Sequence, residues 1–123
     1  MPSKNSIFRL LLICAAIPVC AIGAVAGNFD FRAAPDITLN RVYRVDTITG
    51  QMGACQYGLK EGAVGATLCY PSGEGAGAQE PGEYALISSG HQKEGGVFRL
   101  NRRTGKMSIC FVLNDQVVCT PQG

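Results

Sequence analysis

Two segments of this chain are copies of one another, and that limits the fold more than any other feature. Tyr43-Arg44-Val45-Asp46-Thr47-Ile48-Thr49-Gly50-Gln51-Met52-Gly53-Ala54-Cys55 aligns without gaps on Phe98-Arg99-Leu100-Asn101-Arg102-Arg103-Thr104-Gly105-Lys106-Met107-Ser108-Ile109-Cys110. The shared pattern is aromatic-Arg-aliphatic-Asp/Asn-x-x-Thr-Gly-x-Met-x-x-Cys. A second match closes each copy, Leu68-Cys69-Tyr70-Pro71 against Val118-Cys119-Thr120-Pro121. Only the loop between the two cysteines differs in length. Self-similarity of this kind marks one supersecondary unit used twice.

Each copy reads as a three-stranded antiparallel meander, with repeat units at 41–71 and 97–121. The first strand is Arg41–Asp46 in copy one and Val97–Asn101 in copy two. Asp46 or Asn101 then opens a tight turn that Gly50 or Gly105 closes. An Asx side chain bonds nearby backbone N–H groups, and glycine supplies positive φ without a steric cost. The second strands are Gln51–Tyr57 and Lys106–Leu113, and the third are Ala66–Tyr70 and Gln116–Thr120. Tyr84–Ser89 is an extra strand between the units. The mature chain shows no helical period, so the fold class is all-β, with about seven short strands.

The last hairpin fixes a register. Asn114-Asp115 is a good two-residue turn between apolar strands. It sets residue 113 opposite 116, 112 opposite 117, 111 opposite 118, and Cys110 opposite Cys119. A non-hydrogen-bonded pair at that position has a Cα separation of about 4.5 Å, at the short end of what a disulfide accepts. The register therefore predicts Cys110–Cys119, and the repeat predicts Cys55–Cys69. The alternative, Cys55–Cys110 with Cys69–Cys119, would cross-link the two copies and stays open, since spacing alone does not fix connectivity. The register also sorts the faces. Met107, Ile109, Phe111, Leu113 and Val118 share one face and are expected in the core; Cys110, Val112, Val117 and Cys119 share the other.

The Asp-x-x-Thr-Gly turn between aromatic and aliphatic strand residues resembles hairpins in quinoprotein-type β-propeller repeats. The likeness covers one hairpin in each copy. Propellers close with about 4–8 blades, whereas two units are present here, with cysteines and without blade tryptophans. The resemblance thus implies a shared hairpin and transfers no cofactor or activity. As a whole the chain resembles small exported bacterial proteins that carry paired Tyr/Phe-Arg-Val/Leu-Asp-x-x-Thr-Gly hairpins with cysteines.

The start of the chain concerns location. Lys4 and Arg9 precede Leu10–Phe29, which is free of charge and rich in Leu, Ile, Ala and Val. A basic start, an apolar run and the small-x-small Ala24-Val25-Ala26 make 1–26 a signal peptide or a membrane anchor. An uncleaved anchor would cross the membrane through 10–29, since a helix needs about 20 apolar residues to span it. Cys14 and Cys20 follow large residues and read as apolar members of this run. Both alternatives put the rest of the chain outside the cytosol, periplasmic or secreted if cleaved, anchored in the inner membrane if not. Residues 27–40 read as a tether or an edge segment and 41–123 as the folded domain. Outside the cytosol an even set of cysteines in a short domain forms a disulfide framework, which makes up for a small core.

Without Lys4 and Arg9, nine basic residues face nine acidic ones. A neutral domain gives no support for general nucleic-acid binding, and none is expected. His91 is the sole histidine; with Ser88 or Ser89 beside it, it is the weakest of hydrolase candidates. The cysteine spacings do not suit zinc, no C-x-x-C is present, and no cofactor or metal is expected. Gly73–Gly77 lacks the Lys-Ser/Thr of a phosphate loop, and Ser72–Gly82 reads as a mobile Gly/Ala-rich linker. Arg99, Arg102, Arg103 and Lys106 form the one candidate interaction cluster, a basic hairpin tip that could meet an acidic partner or could simply blunt a sheet edge. These features point to a non-catalytic accessory of the cell envelope with a protein partner. The alternative is a secreted binding module or enzyme inhibitor using Ser72–Gly82 or Ser88–Gly95.

Overall fold

The computed structural model describes residues 28–59 and 62–123. The export or anchor segment read at 1–26 lies outside the described residues. Eight strands follow one another: β1 (Phe29–Ala33), β2 (Arg41–Asp46), β3 (Met52–Gly58), β4 (Ala66–Tyr70), β5 (Tyr84–Ile87), β6 (Val97–Asn101), β7 (Met107–Leu113) and β8 (Gln116–Cys119). They form two antiparallel sheets in simple sequence order, β1-β2-β3-β4 as unit one and β5-β6-β7-β8 as unit two. The fold is all-β, as the repeat requires, but each unit has four strands and not three. The region 27–40, expected as a tether or an edge segment, contributes β1 at the sheet edge. Its register, Phe29 opposite Asp46, is the register of β5, Tyr84 opposite Asn101. The repeat therefore extends one strand further back than the motif residues show.

The turns duplicate in atomic detail. Gly50 and Gly105 both sit at φ 75°. Their amides donate to the carbonyls of Asp46 and Asn101, both at 2.8 Å. Asp46 Oδ1 accepts the amides of Ile48 and Thr49 at 2.8 and 3.0 Å, and Asn101 Oδ1 accepts that of Arg103 at 3.0 Å. These bonds from Thr49 and Ile48 hold the Asp46 carboxyl below its ordinary value of 3.8. Asn114 and Asp115 both have positive φ, 51° and 60°, the backbone of a type I′ hairpin turn. Cys110 then faces Cys119 in the register anticipated. The bridges are Cys55–Cys69 and Cys110–Cys119, with Cα separations of 4.0 and 4.1 Å. Each staples adjacent strands within one unit; none links the units. Two such bridges fit an oxidising compartment outside the cytosol.

The faces are the main surprise. Cys110, Val117 and Cys119 are buried, whereas Met107 and Leu113 stand 53% and 52% exposed. The core expected from Met107, Ile109, Phe111, Leu113 and Val118 is thus turned outward. In unit one, by contrast, the buried strand residues are Tyr43, Val45, Met52 and Ala54, the repeat mates of Phe98, Leu100, Met107 and Ile109. Equivalent residues are inside in one unit and outside in the other. The two sheets consequently stack front to back, like two plates in a pile, and not front to front. One hydrophobic cluster spans the contact, with Tyr43, Val45, Met52 and Ala54 from unit one and Tyr84, Leu86, Val97, Cys110 and Val117 from unit two.

The segment Ser72–Gly82 is not a free linker. Ala76 is fully buried in the core cluster. The Met52 amide donates to the Ala76 carbonyl at 2.8 Å, and the Cys119 amide to that of Glu74 at 2.9 Å. A Cβ on Gly75 would collide with the Cys119 carbonyl. Small residues are required where the segment passes β8 and reaches β3, at Gly75 and Ala76.

Two measurements follow from this anatomy. Cys110 is fully buried and Cys119 nearly so, while Cys69 is exposed and Cys55 half-buried. Thiolate attack requires access, so mild reductant should open Cys55–Cys69 first; alkylation followed by peptide mass mapping reads the order. The depressed Asp46 carboxyl stabilises the fold above its unfolded-state pKa, and that contribution is lost as pH falls through the lower folded-state value. Urea midpoints between pH 6 and 2 should therefore fall less steeply in Asp46→Asn, which keeps the cap oxygen without the titrating charge.

Candidate functional site

The basic hairpin tip divides in two. Arg102, Arg103 and Lys106 lie exposed around the β6–β7 turn. Arg103 Nε donates to Glu83 Oε1 at 3.4 Å, with both side chains largely in solvent, a pair worth about 0–1 kcal/mol. Arg99 is not part of this cluster. It is 1% exposed, on the inner face of β6. The inversion of faces explains the difference: Arg44, its repeat mate, occupies the outer face of β2 and is exposed.

Arg99 is a junction residue. Nη1 donates to the Gly50 carbonyl at 2.8 Å and Nη2 to the Gly75 carbonyl at 3.0 Å. One guanidinium thus holds the unit-one turn and the linker segment against unit two. Burial lowers its pKa below the ordinary arginine value, and among the described residues no carboxylate bonds it. Its Nε and the Oγ of the cross-strand Ser108 are both buried without a protein partner. In unit one the same geometry recurs in the open: Arg44 lies across Gly53, the mate of Ser108, with its guanidinium 5.4 Å from the Phe29 ring centre.

The junction has further polar contacts. Asp30 Oδ2 accepts the Leu86 amide at 3.0 Å, and the Tyr43 hydroxyl donates to the Gly95 carbonyl at 2.6 Å. Burial raises the Tyr43 pKa. At the unit-one tip the carbonyls of Thr47, Ile48 and Thr49 accept the amides of Tyr84, Gly82 and Gln79. That tip is covered by incoming chain, whereas only the Arg102 amide at the unit-two tip is tied back, to the Glu83 carbonyl at 2.7 Å. Charge is therefore easily solvated at the second tip, which accounts for Arg102, Arg103 and Lys106 where unit one has Thr47, Ile48 and Gln51.

His91 belongs to an exposed turn. Its Nδ1 accepts the Lys93 amide at 3.3 Å, and its own amide donates to Ser89 Oγ at 3.2 Å. Ser88 Oγ accepts the Gly90 amide at 3.0 Å. The ring and both hydroxyls serve as local turn acceptors. Among the described residues no group of three His, Cys, Asp or Glu side chains gathers.

The largest chemical features left are two sheet faces. The outer face of unit two carries Phe98, Leu100, Met107, Ile109, Phe111 and Leu113, all half-buried or exposed. That of unit one carries Phe29 and Phe31, 51% and 58% exposed, with Val42 at 45% and Arg44 among them. Met107, Ile109, Phe111 and Leu113 of the first set were expected in the core; periodicity identifies an apolar face but not what covers it. Phe29 and Phe31 of the second set lay in the segment 27–40, ahead of the expected strands. Their signal was present in the spacing Phe29-x-Phe31, which repeats as Tyr84-x-Leu86.

Comparison with known proteins returns no matching family model, no matching curated protein and no matching solved structure.

Removing the Arg99 side chain leaves the buried Gly50 carbonyl without its donor, takes one of two donors from the Gly75 carbonyl, and opens a void at the sheet contact. Arg99→Ala should cost about 2–4 kcal/mol in unfolding free energy, read from urea titration of the oxidised protein. Arg102→Ala should change it by less than about 0.5 kcal/mol.

Proposed function

We propose that this chain is a non-catalytic interaction module of the cell envelope that binds protein through its outward sheet faces. The exposed apolar face of unit two supports the reading most directly. Contiguous apolar surface of more than a few hundred Å² on a folded monomer commonly marks a site where something else docks. Phe98, Leu100, Met107, Ile109, Phe111 and Leu113 line one outward face on two adjacent strands, with Met107 and Leu113 exposed and the others half-buried. The two intra-unit disulfides hold the strands of each face in register, which limits the ordering cost of binding.

Location follows the N-terminal charge and hydropathy pattern. The domain acts outside the cytosol, periplasmic or secreted if 1–26 is removed, tethered to the inner membrane if it is kept. A secreted inhibitor is the second reading, and the exposed loop from Ser89 to Lys93 favours it. It would use Ser88–Gly95; Ser72–Gly82 is committed to the core contact and does not suit that role.

The two readings separate in the producing cell. A photo-crosslinking residue at Met107 should give protein adducts if the unit-two face binds, and one at Gln92 should not. Adducts from Gln92 alone would favour the inhibitor; absence of any protein adduct from Met107 would end the proposal.

A further inference from the structure

The front-to-back stacking of the two units leaves each with the face that the other has already used. We infer that copies of this chain stack head to tail, the unit-two outer face of one copy docking on the unit-one outer face of the next. This rests on the reading that these faces bind protein and names the partner as a second copy.

The internal contact is the template. It joins the Tyr43, Val45, Met52 face of unit one to the Tyr84, Leu86, Val97, Arg99 face of unit two. By repeat and register, Phe98, Leu100 and Met107 are the mates of the first set. Phe29, Phe31, Val42 and Arg44 are the mates of the second. Both mates are exposed or half-buried, on opposite sides of the molecule. A second copy therefore finds on each side the same kind of surface that the chain already buries within itself. Met52 is 1% exposed and its mate Met107 53%.

The glycine turns show the open places. Tyr84 covers Gly50 so closely that a Cβ there would lie 2.8 Å from its ring, whereas nothing lies within 4 Å of a Cβ at Gly105, which has the same φ of 75°. In the stack Phe29, the mate of Tyr84, would cover Gly105 of the neighbour. Arg44, the mate of Arg99, would donate to the Gly105 carbonyl as Arg99 does to that of Gly50. Two bonds are not reproduced, since Ala85 stands where Asp30 does and Phe98 where Tyr43 does, so the contact between copies is more apolar than the internal one. An interface of this heterologous kind closes into a ring or runs on as a filament, according to the rotation between copies.

Arg44→Glu blocks one face and Met107→Glu the other. Both positions are exposed, and both variants should keep two disulfides and wild-type melting. For the full-length chain isolated from the envelope of an expressing bacterium, analytical ultracentrifugation should show wild-type oligomers larger than a dimer. Each variant alone should be monomeric, and an equal mixture should form a dimer with one of each, because each retains the face the other has lost. A wild-type monomer at all concentrations, or a mixture that stays monomeric, overturns head-to-tail stacking. Should Met107 adducts to other proteins persist in that case, the interaction function stands and only the self-partner falls.

Discussion

The contact between the two sheets is the constraint on which the rest depends. A four-stranded sheet with one buried face has little core of its own, and a repeat unit must stack on a neighbour to bury its apolar surface. Here a single cluster reaches from Tyr43 and Met52 to Val97 and Val117. The units therefore share one core, and disulfides inside each unit cannot substitute for it. At the centre sits a cation. Burying an ion costs several kcal/mol unless its donors are met. Arg99 meets two carbonyls, from the Gly50 turn and from Gly75. Both lie outside its own unit, so the cost is offset only when the sheets are docked. That makes Arg99 a specificity device: it favours one stacking geometry over a sliding apolar contact.

Much of the architecture was legible in the amino-acid order because it is local. The repeat, the hairpin registers, the Asx-capped turns and both disulfides depend on residues within a few positions of each other or directly across a two-residue turn. Face choice was not legible, because it depends on a distant partner. β7 offers Ser108-Cys110-Val112 on one side and Met107-Ile109-Phe111 on the other, and alternation alone ranks the second as more apolar. The structure buries the first because that side of unit two meets unit one. Arg99 was misplaced for the same reason: its neighbours in sequence are the tip, but its side chain follows the inner face. β1 was missed because Phe29-Asp30-Phe31-Arg32 carries none of the motif residues.

Ser72–Gly82 teaches a separate point about composition. Glycine and alanine mark flexible linkers, but they also mark places where backbone must pass close to backbone. Gly75 beside the Cys119 carbonyl and Ala76 within the core are of the second kind. What distinguishes them is a sheet junction that small residues alone can enter. The tips follow the same logic. The carbonyls of Thr47, Ile48 and Thr49 are occupied by the chain entering β5, and the matching tip in unit two is left to water and to Arg102, Arg103 and Lys106.

Strand composition carries the argument one step further. A sheet covered on one side alternates apolar and polar residues; a strand covered on both sides reads as a continuous apolar run. β7, Met-Ser-Ile-Cys-Phe-Val-Leu, has a single polar side chain. β6 has Val, Phe and Leu with Arg99 and Asn101 between them, and both polar residues face inward. The polar side chains of unit two's central strands, Arg99, Asn101 and Ser108, are thus buried, while Phe98, Leu100, Met107 and Ile109 stand half-buried or exposed on the outer side, the reverse of what water alone as a neighbour would favour. Unit one compensates in the other direction, with Arg44 over Phe29 on the side facing away from its partner. An apolar plate and a plate with one guanidinium over an aromatic ring form a complementary pair, and they are the repeat mates of the two surfaces that the chain joins at its own centre.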